Sequence, residues 1–133
     1  MADSKLIKKL DKIFSEYIRL RDADDEGFVV CCTCGVIKHY TKVDCGHFQS
    51  RRHMATRWDE INVSTQCKSC NGFHAGEQFK YAQFIDKNYG KGRALILESL
   101  ARGTKKWSNT DLQEMIDEYS TLLKEQKKER GMG

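Results

Sequence analysis

The order of segments in this chain predicts a small α+β fold in which short strands are stapled by metal and flanked by helices. Three observations lead there. Apolar residues recur at helical spacing toward both ends of the chain. Between them lie brief β-prone runs punctuated by glycine. Within those runs fall two Cys-x-x-Cys pairs, Cys31 with Cys34 and Cys67 with Cys70. At 133 residues the chain is one domain, able to bury a core but not two independent ones. It divides into an N-terminal helix and loop over residues 1–26, a metal-bound core over residues 27–88 and a helical extension over residues 89–133.

Residues 4–21 predict the first helix, because Leu6, Ile7, Leu10, Ile13, Phe14, Tyr17 and Ile18 fall on one face, with Lys and Asp on the other. Ser4 is its expected N-cap. The basic face reads as solvated surface in preference to a DNA-binding helix. The acidic run Asp22 to Glu26, ending at Gly27, is a loop. Phe28 to Cys31 and Val36 to Tyr40 read as short strands around the turn CCTCG. Trp58 to Ser64 leads from a loop into an extended piece that delivers Cys67. Asn71 opens a helix to about Asn88, with Phe79, Tyr81, Phe84 and Ile85 on its apolar face and Gly90 and Gly92 punctuating its end. Arg93 to Ala101 makes a further helix. Ser108 or Asn109 caps the last one, Asp111 to about Lys127, in which Leu112, Met115, Ile116, Tyr119, Leu122 and Leu123 lie at core spacing. The terminal KEQKKERGMG is expected to fray.

Two thiolates separated by two residues at a tight turn, with Gly35 relieving the backbone, reach one tetrahedral ion at about 2.3 Å. The second pair repeats that spacing after an interval of 32 residues. Together they supply four soft ligands, enough to close a structural Zn²⁺ site. Free buried cysteines or a redox pair are the weaker reading. No signal-peptide run or membrane span is present in the sequence, so a cytosolic setting with reduced thiols is expected. Cys32 and Cys45 are left over and read as small buried side chains. The net charge of +4 permits a polyanionic partner without establishing one.

His47 follows a glycine and precedes Phe48 and the run Gln49-Ser50-Arg51-Arg52-His53. A neutral imidazole can take a proton from water near neutral pH. A guanidinium fork can hold a phosphodiester at two points. Taken singly, His47 would more often be structural, and Arg51, Arg52 and Arg57 solvated surface. Their company points to a site that handles phosphate.

The succession Cys-x-x-Cys, Gly-His-Phe-x-Ser-Arg-Arg, an Arg, an Asn and Gln-Cys-x-x-Cys-Asn resembles the NinG/Rap family of phage recombination endonucleases, which looks like a branch of the HNH, or ββα-metal, nucleases. The resemblance runs from about Cys31 to Tyr81, and more loosely through FIDKNYGKGRALILESLARGTKKW and the last helix. It implies a treble-clef-like ββα-metal nuclease core for residues 27–88. It implies that His47 is the general base, that Asn62 fixes the loop orienting it, and that Asn71 is a ligand of one catalytic Mg²⁺ or Mn²⁺. Many HNH sequences place an Asp or His ligand immediately before the base, where this chain has Gly46. Asp44, on the same hairpin, or His74, one helical turn from Asn71, is the candidate for the missing donor. Arg51, Arg52 and Arg57 are the expected phosphate contacts. Zinc is structural in this scheme, replacing a large hydrophobic core under the hairpin. The implied partner is DNA, in branched intermediates such as Holliday junctions or D-loops, in the host-cell cytoplasm of a phage-encoded protein and with no membrane. A homodimer would suit paired nicks.

Two other readings fit parts of the pattern. A non-catalytic zinc-binding nucleic-acid module would keep the scaffold but could lose His47 without consequence. A structural zinc domain for protein contacts would leave Arg51 and Arg52 idle. The joint presence of His47, Asn62 and Asn71 favours the endonuclease.

Overall fold

In the computed structural model, which describes residues 2–132, helix α1 (Ser4–Arg21) is capped by Asp3 and not by Ser4. Met1 and Gly133, at the outer ends of the terminal segments, lie outside the described residues. The Asp3 carboxylate accepts the Lys5 N–H at 2.8 Å, so a charge meets the unpaired amides of the first turn. Strands β1 (Phe28–Val30) and β2 (Ile37–His39) form one antiparallel pair, with Phe28 opposite His39. Strands β3 (Asp44–His47) and β4 (Val63–Gln66) form another, with Asp44 opposite Gln66 and His47 opposite Val63. The Cys32 N–H donates to the Thr65 carbonyl at 3.0 Å and joins the two ribbons.

The single helix expected from Asn71 to Asn88 is interrupted. A π-helical turn (Ser69–Phe73) gives way at His74, and helix α2 runs only from Gln78 to Tyr89. Between them Ala75 and Glu77 take φ angles of 50° and 51°, which stops helix propagation. The Gly76 carbonyl there accepts Gln66 Nε2 at 2.9 Å, a tertiary bond that local propensity does not encode. Helix α2 buries Tyr81 and Ile85, but Phe79 is exposed, so its apolar face is narrower than expected. Helix α3 (Arg93–Ala101) follows, then α4 (Asn109–Glu129), whose cap Ser108 exchanges hydrogen bonds with Asp111.

Helices α1 and α4 lie side by side and run in the same direction. Asp3 meets Asn109, Phe14 meets Tyr119, and the Tyr17 carbonyl accepts Gln126. Their facing residues, Leu10, Phe14 and Ile18 with Leu112, Ile116 and Tyr119, close a core that also holds Trp58 and Val63. A second cluster gathers Phe48, Tyr81, Ile85, Ala94 and Leu97, and a third is Cys31, Cys67 and Cys70. The apolar stripe of α4 is therefore covered by its own chain. Its end does not fray as expected: the Arg130 guanidinium donates to the carbonyls of Leu20, Ala23 and Asp24, each at 2.8 Å. Among the described residues, no helix is long and apolar enough to cross a membrane.

The Tyr81 hydroxyl, fully buried, donates to the Gly46 carbonyl at 2.7 Å and pins α2 to strand β3. Tyr81→Phe keeps the ring and removes that bond, so urea unfolding should show a loss on the order of 1 kcal/mol. An unchanged midpoint would mean that the bond adds nothing net.

Candidate active site

A cleft of about 1010 Å³ opens beside strand β3. Asp44, Cys45, His47 and Phe48 all line it. Neighbouring strand side chains point to opposite faces, so the cleft runs along the edge of β3 that β4 leaves unpaired. One wall is α1, through Asp11, Phe14, Ser15 and Arg19. The other is built by Lys68, Asn71, Ala75, Gly76 and Gln78.

His47 ends β3, and its Nε2 lies 2.9 Å from the Arg57 carbonyl. A carbonyl can only accept, so the neutral ring carries its proton on Nε2 and leaves Nδ1 as the basic atom. Burial holds this imidazole below its ordinary pKa. The bond to Arg57 opposes that, while the Arg51 charge adds to it. The loop between the strands, residues 48–62, is set by Asn62, which is wholly buried. Its Oδ1 accepts the Gln49 N–H at 2.8 Å, and its Nδ2 donates to the carbonyls of Gln49 and Thr56 at 3.0 and 3.1 Å. Every polar atom of that amide is thus engaged with the loop that begins at His47.

The structure gives Arg57 a different task from the expected phosphate contact. Its Nε and Nη2 donate to the Asp11 carboxylate at 3.1 and 2.5 Å, and Nη1 donates to the Arg51 carbonyl at 2.7 Å. The guanidinium is consumed by these bonds and mostly buried. Asp11 also accepts Trp58 Nε1 at 3.0 Å, so one carboxylate on α1 holds two consecutive loop residues. Arg51 and Arg52 remain exposed, and only Arg51 lines the cleft.

Across the cleft, Asp44 and Asn71 meet: Asn71 Nδ2 donates to Asp44 Oδ2 at 3.0 Å, and Lys68 Nζ sits 2.7 Å from Oδ1. A carboxylate beside an amide offers the hard oxygen donors that Mg²⁺ or Mn²⁺ takes together with water and phosphate oxygens, so the pair fits such an ion. His74 does not join it. Its Nδ1 faces Glu77 at 3.6 Å, and it does not line the cleft, because the break after Phe73 carries it off the helical path expected from Asn71. The glycine before the histidine has a steric reason: a Cβ on Gly46 would fall 2.0 Å from Gln66 Oε1. The buried Gln66 amide fills that space and bonds to Gly76 and Thr33.

The sulfurs of Cys31, Cys34, Cys67 and Cys70 all lie within 4.8 Å of one another, and Cys34 and Cys67 are 3.8 Å apart. Ligands about 2.3 Å from a tetrahedral ion stand roughly 3.8 Å from each other, so the cluster can hold zinc. Burial raises the Cys31 thiol, but the Thr33 hydroxyl and nearby backbone N–H groups outweigh it and lower the thiol to about 6. Cys32 and Cys45 stay outside the cluster and pack against the second and first cores. Burial pushes Cys45 up to about 12 and raises Cys32 further, leaving both as inert thiols.

Sequence reasoning missed Asp11, Arg19, Lys68 and Gln66. Asp11 had a weak signal, as an acid on an otherwise basic helix face, and Lys68 lies inside the second cysteine pair. Gln66 stands in the motif Gln-Cys-x-x-Cys-Asn with no role attached and Arg19 had no signal, because their partners, the Gly76 and Tyr40 carbonyls, come from other elements.

The chain matches the family model described as "NinG: Bacteriophage Lambda NinG protein" over residues 2–129. It is 26% identical to protein ninG of Salmonella phage P22 over 120 residues, covering 90% of this chain and 56% of that protein. Against protein ninG of Escherichia phage lambda it is 25% identical over 125 residues, covering 93% and 58%. The chain thus spans little more than half the length of these relatives. No solved structure matches it.

Cys67→Ser should lose both metal and fold. Native mass measurement is expected to find one zinc per wild-type chain, and a variant that unfolds cooperatively without zinc would remove the four-cysteine site. Asp11→Ala strands the Arg57 guanidinium in a mostly buried position. Chemical unfolding should register a cost on the order of 2–4 kcal/mol, and a change within error would show that the loop holds without this anchor.

Proposed function

The chain belongs to the NinG family, and on that premise we propose that it is a metal-dependent DNA endonuclease with a ββα-metal (HNH-type) core. Its substrates in this reading are branched recombination intermediates such as Holliday junctions and D-loops, met in the host-cell cytoplasm. The observation that best supports it is one cleft holding a neutral histidine with a free basic nitrogen and, from the same strand, a carboxylate that meets an amide of the opposite wall in a pair fit for a hard cation.

The division of labour follows from the contacts. Arg57 carbonyl keeps the proton on His47 Nε2, so Nδ1 is the atom that takes a proton from the attacking water. Asn62 keeps the loop, and with it that carbonyl, in place. Arg51, with a side chain 63% exposed at the cleft, holds a phosphate oxygen, and Arg52 adds charge beside it. Asp44 and Asn71 would hold the Mg²⁺ or Mn²⁺, which when bound supplies positive charge to the scissile phosphate and the leaving 3′ oxygen. Zinc at the four cysteines has a structural part only.

Cleavage of a labelled four-way junction and a matched duplex tests this. His47→Ala is expected to bind both but to cut about 10²–10⁴-fold more slowly. The base works only when neutral, and its pKa lies below the ordinary 6.5, so the acid limb of the rate profile should fall below that pH. Wild-type protein that binds DNA in low salt yet cuts with neither metal would leave a non-catalytic binding module.

A further inference from the structure

We infer that the loop from Asn71 to Phe79 is a base-stacking edge of the cleft, on which Phe73 and Phe79 receive bases that have left the helical stack. This rests on the reading of the cleft as a DNA site and adds a substrate preference to it: DNA with an unpaired or splayed base over continuous duplex. Phe73 is 93% exposed, the most exposed large apolar side chain among the described residues, and Phe79 is 67% exposed. Both lie on the segment whose Asn71, Ala75, Gly76 and Gln78 line the cleft.

The loop's shape is imposed on it from below. Ala75 and Glu77 are the only non-glycine residues at positive φ among the described residues, and they bracket Gly76. The Gly76 carbonyl is held by the wholly buried Gln66 side chain at 2.9 Å, and its N–H donates to the Cys70 carbonyl at 2.8 Å. Backbone strain of this kind persists only where surrounding structure over-determines it, and it gathers at binding edges. The rings are therefore displayed by a braced loop and not by one free to fold them away.

The neighbouring charges name the partner. Lys68 and Lys80 stand exposed at the two ends of the segment, each beside a carboxylate (Asp44 at 2.7 Å, Glu77 at 3.7 Å) but open to solvent and so to a phosphate. Two rings with a cation beyond each suit a chain of phosphates with bases between them. A protein partner would call for a continuous apolar patch, whereas here polar His74, Glu77 and Gln78 separate the rings. Stacking needs a base with a free face, which paired and stacked duplex does not offer.

The test compares a duplex carrying 2-aminopurine in a short bulge with its fully paired counterpart, bound by His47→Ala protein so that nothing is cut. The parent is expected to prefer the bulge and to quench its fluorescence. Adding Phe73→Ala should lower bulge affinity about 5- to 150-fold, leave paired duplex unchanged and abolish the quench. Phe73→Trp should restore both, and unchanged thermal unfolding of each variant would place the effect at the surface. Equal bulge affinity and quench in Phe73→Ala and in the Phe73→Ala, Phe79→Ala pair would overturn the inference while leaving the endonuclease intact. A parent that binds paired DNA without preferring the bulge would do the same. Failure of the parent to bind either DNA in low salt would remove the DNA reading itself.

Discussion

The β1–β2 ribbon cannot hold its own place by burial. Of its residues only Val29 is buried, while Phe28, Val30 and Ile37 face water. What ties it down is the meeting of four sulfurs, two from the turn of this ribbon and two from the turn after β4. A tetrahedral ion among them would supply one strong, directional centre in place of the apolar area that so short a ribbon lacks. The consequence reaches the cleft, because Asn71 follows Cys70 directly and Thr33 holds Gln66. The side of the cleft that carries Asn71 and the braced loop is thus set by sulfur geometry.

The other side is set by buried polar groups. Residues 48–62 are pegged into separate cores, Phe48 in one and Trp58 in the other, and the polar groups of the loop, backbone and side chain alike, are satisfied by side chains. Asn62 serves Gln49 and Thr56, and Asp11 serves Arg57 and Trp58. Asp22 plays the same part at β4, accepting from the Ser64 hydroxyl and from the amide and hydroxyl of Thr65. Fully satisfied networks of this sort rigidify what they touch, and half-satisfied ones are costly. His47 sits where these constraints converge, so its ring orientation depends on α1 as much as on its own strand. That explains why a helix that reads as mere cover forms a wall of the cleft.

Much of this architecture is legible in residue order. Helices α1 and α3 have the bounds that the sequence predicts, α1 differing only in its cap, and α4 differs from expectation only at its ends. The cysteine pairs stand out because ligand chemistry demands their spacing, and His47 by its company of arginines, whereas Asn62 and Asn71 stand out only through the family resemblance. Arg51 and Arg57 show the limit. They are identical in type and six positions apart, yet one faces the cleft and the other is locked to an aspartate 46 positions away. Residue order offers Asp44 and His74 alike as the further donor, and the backbone turn at Ala75 and Glu77, held by Gln66 from another strand, separates them. Periodicity and ligand spacing are properties of neighbours along the chain, so they are written in its order. The partner of each charge, and the space left beside each glycine, depend on distances between atoms that only folding brings together.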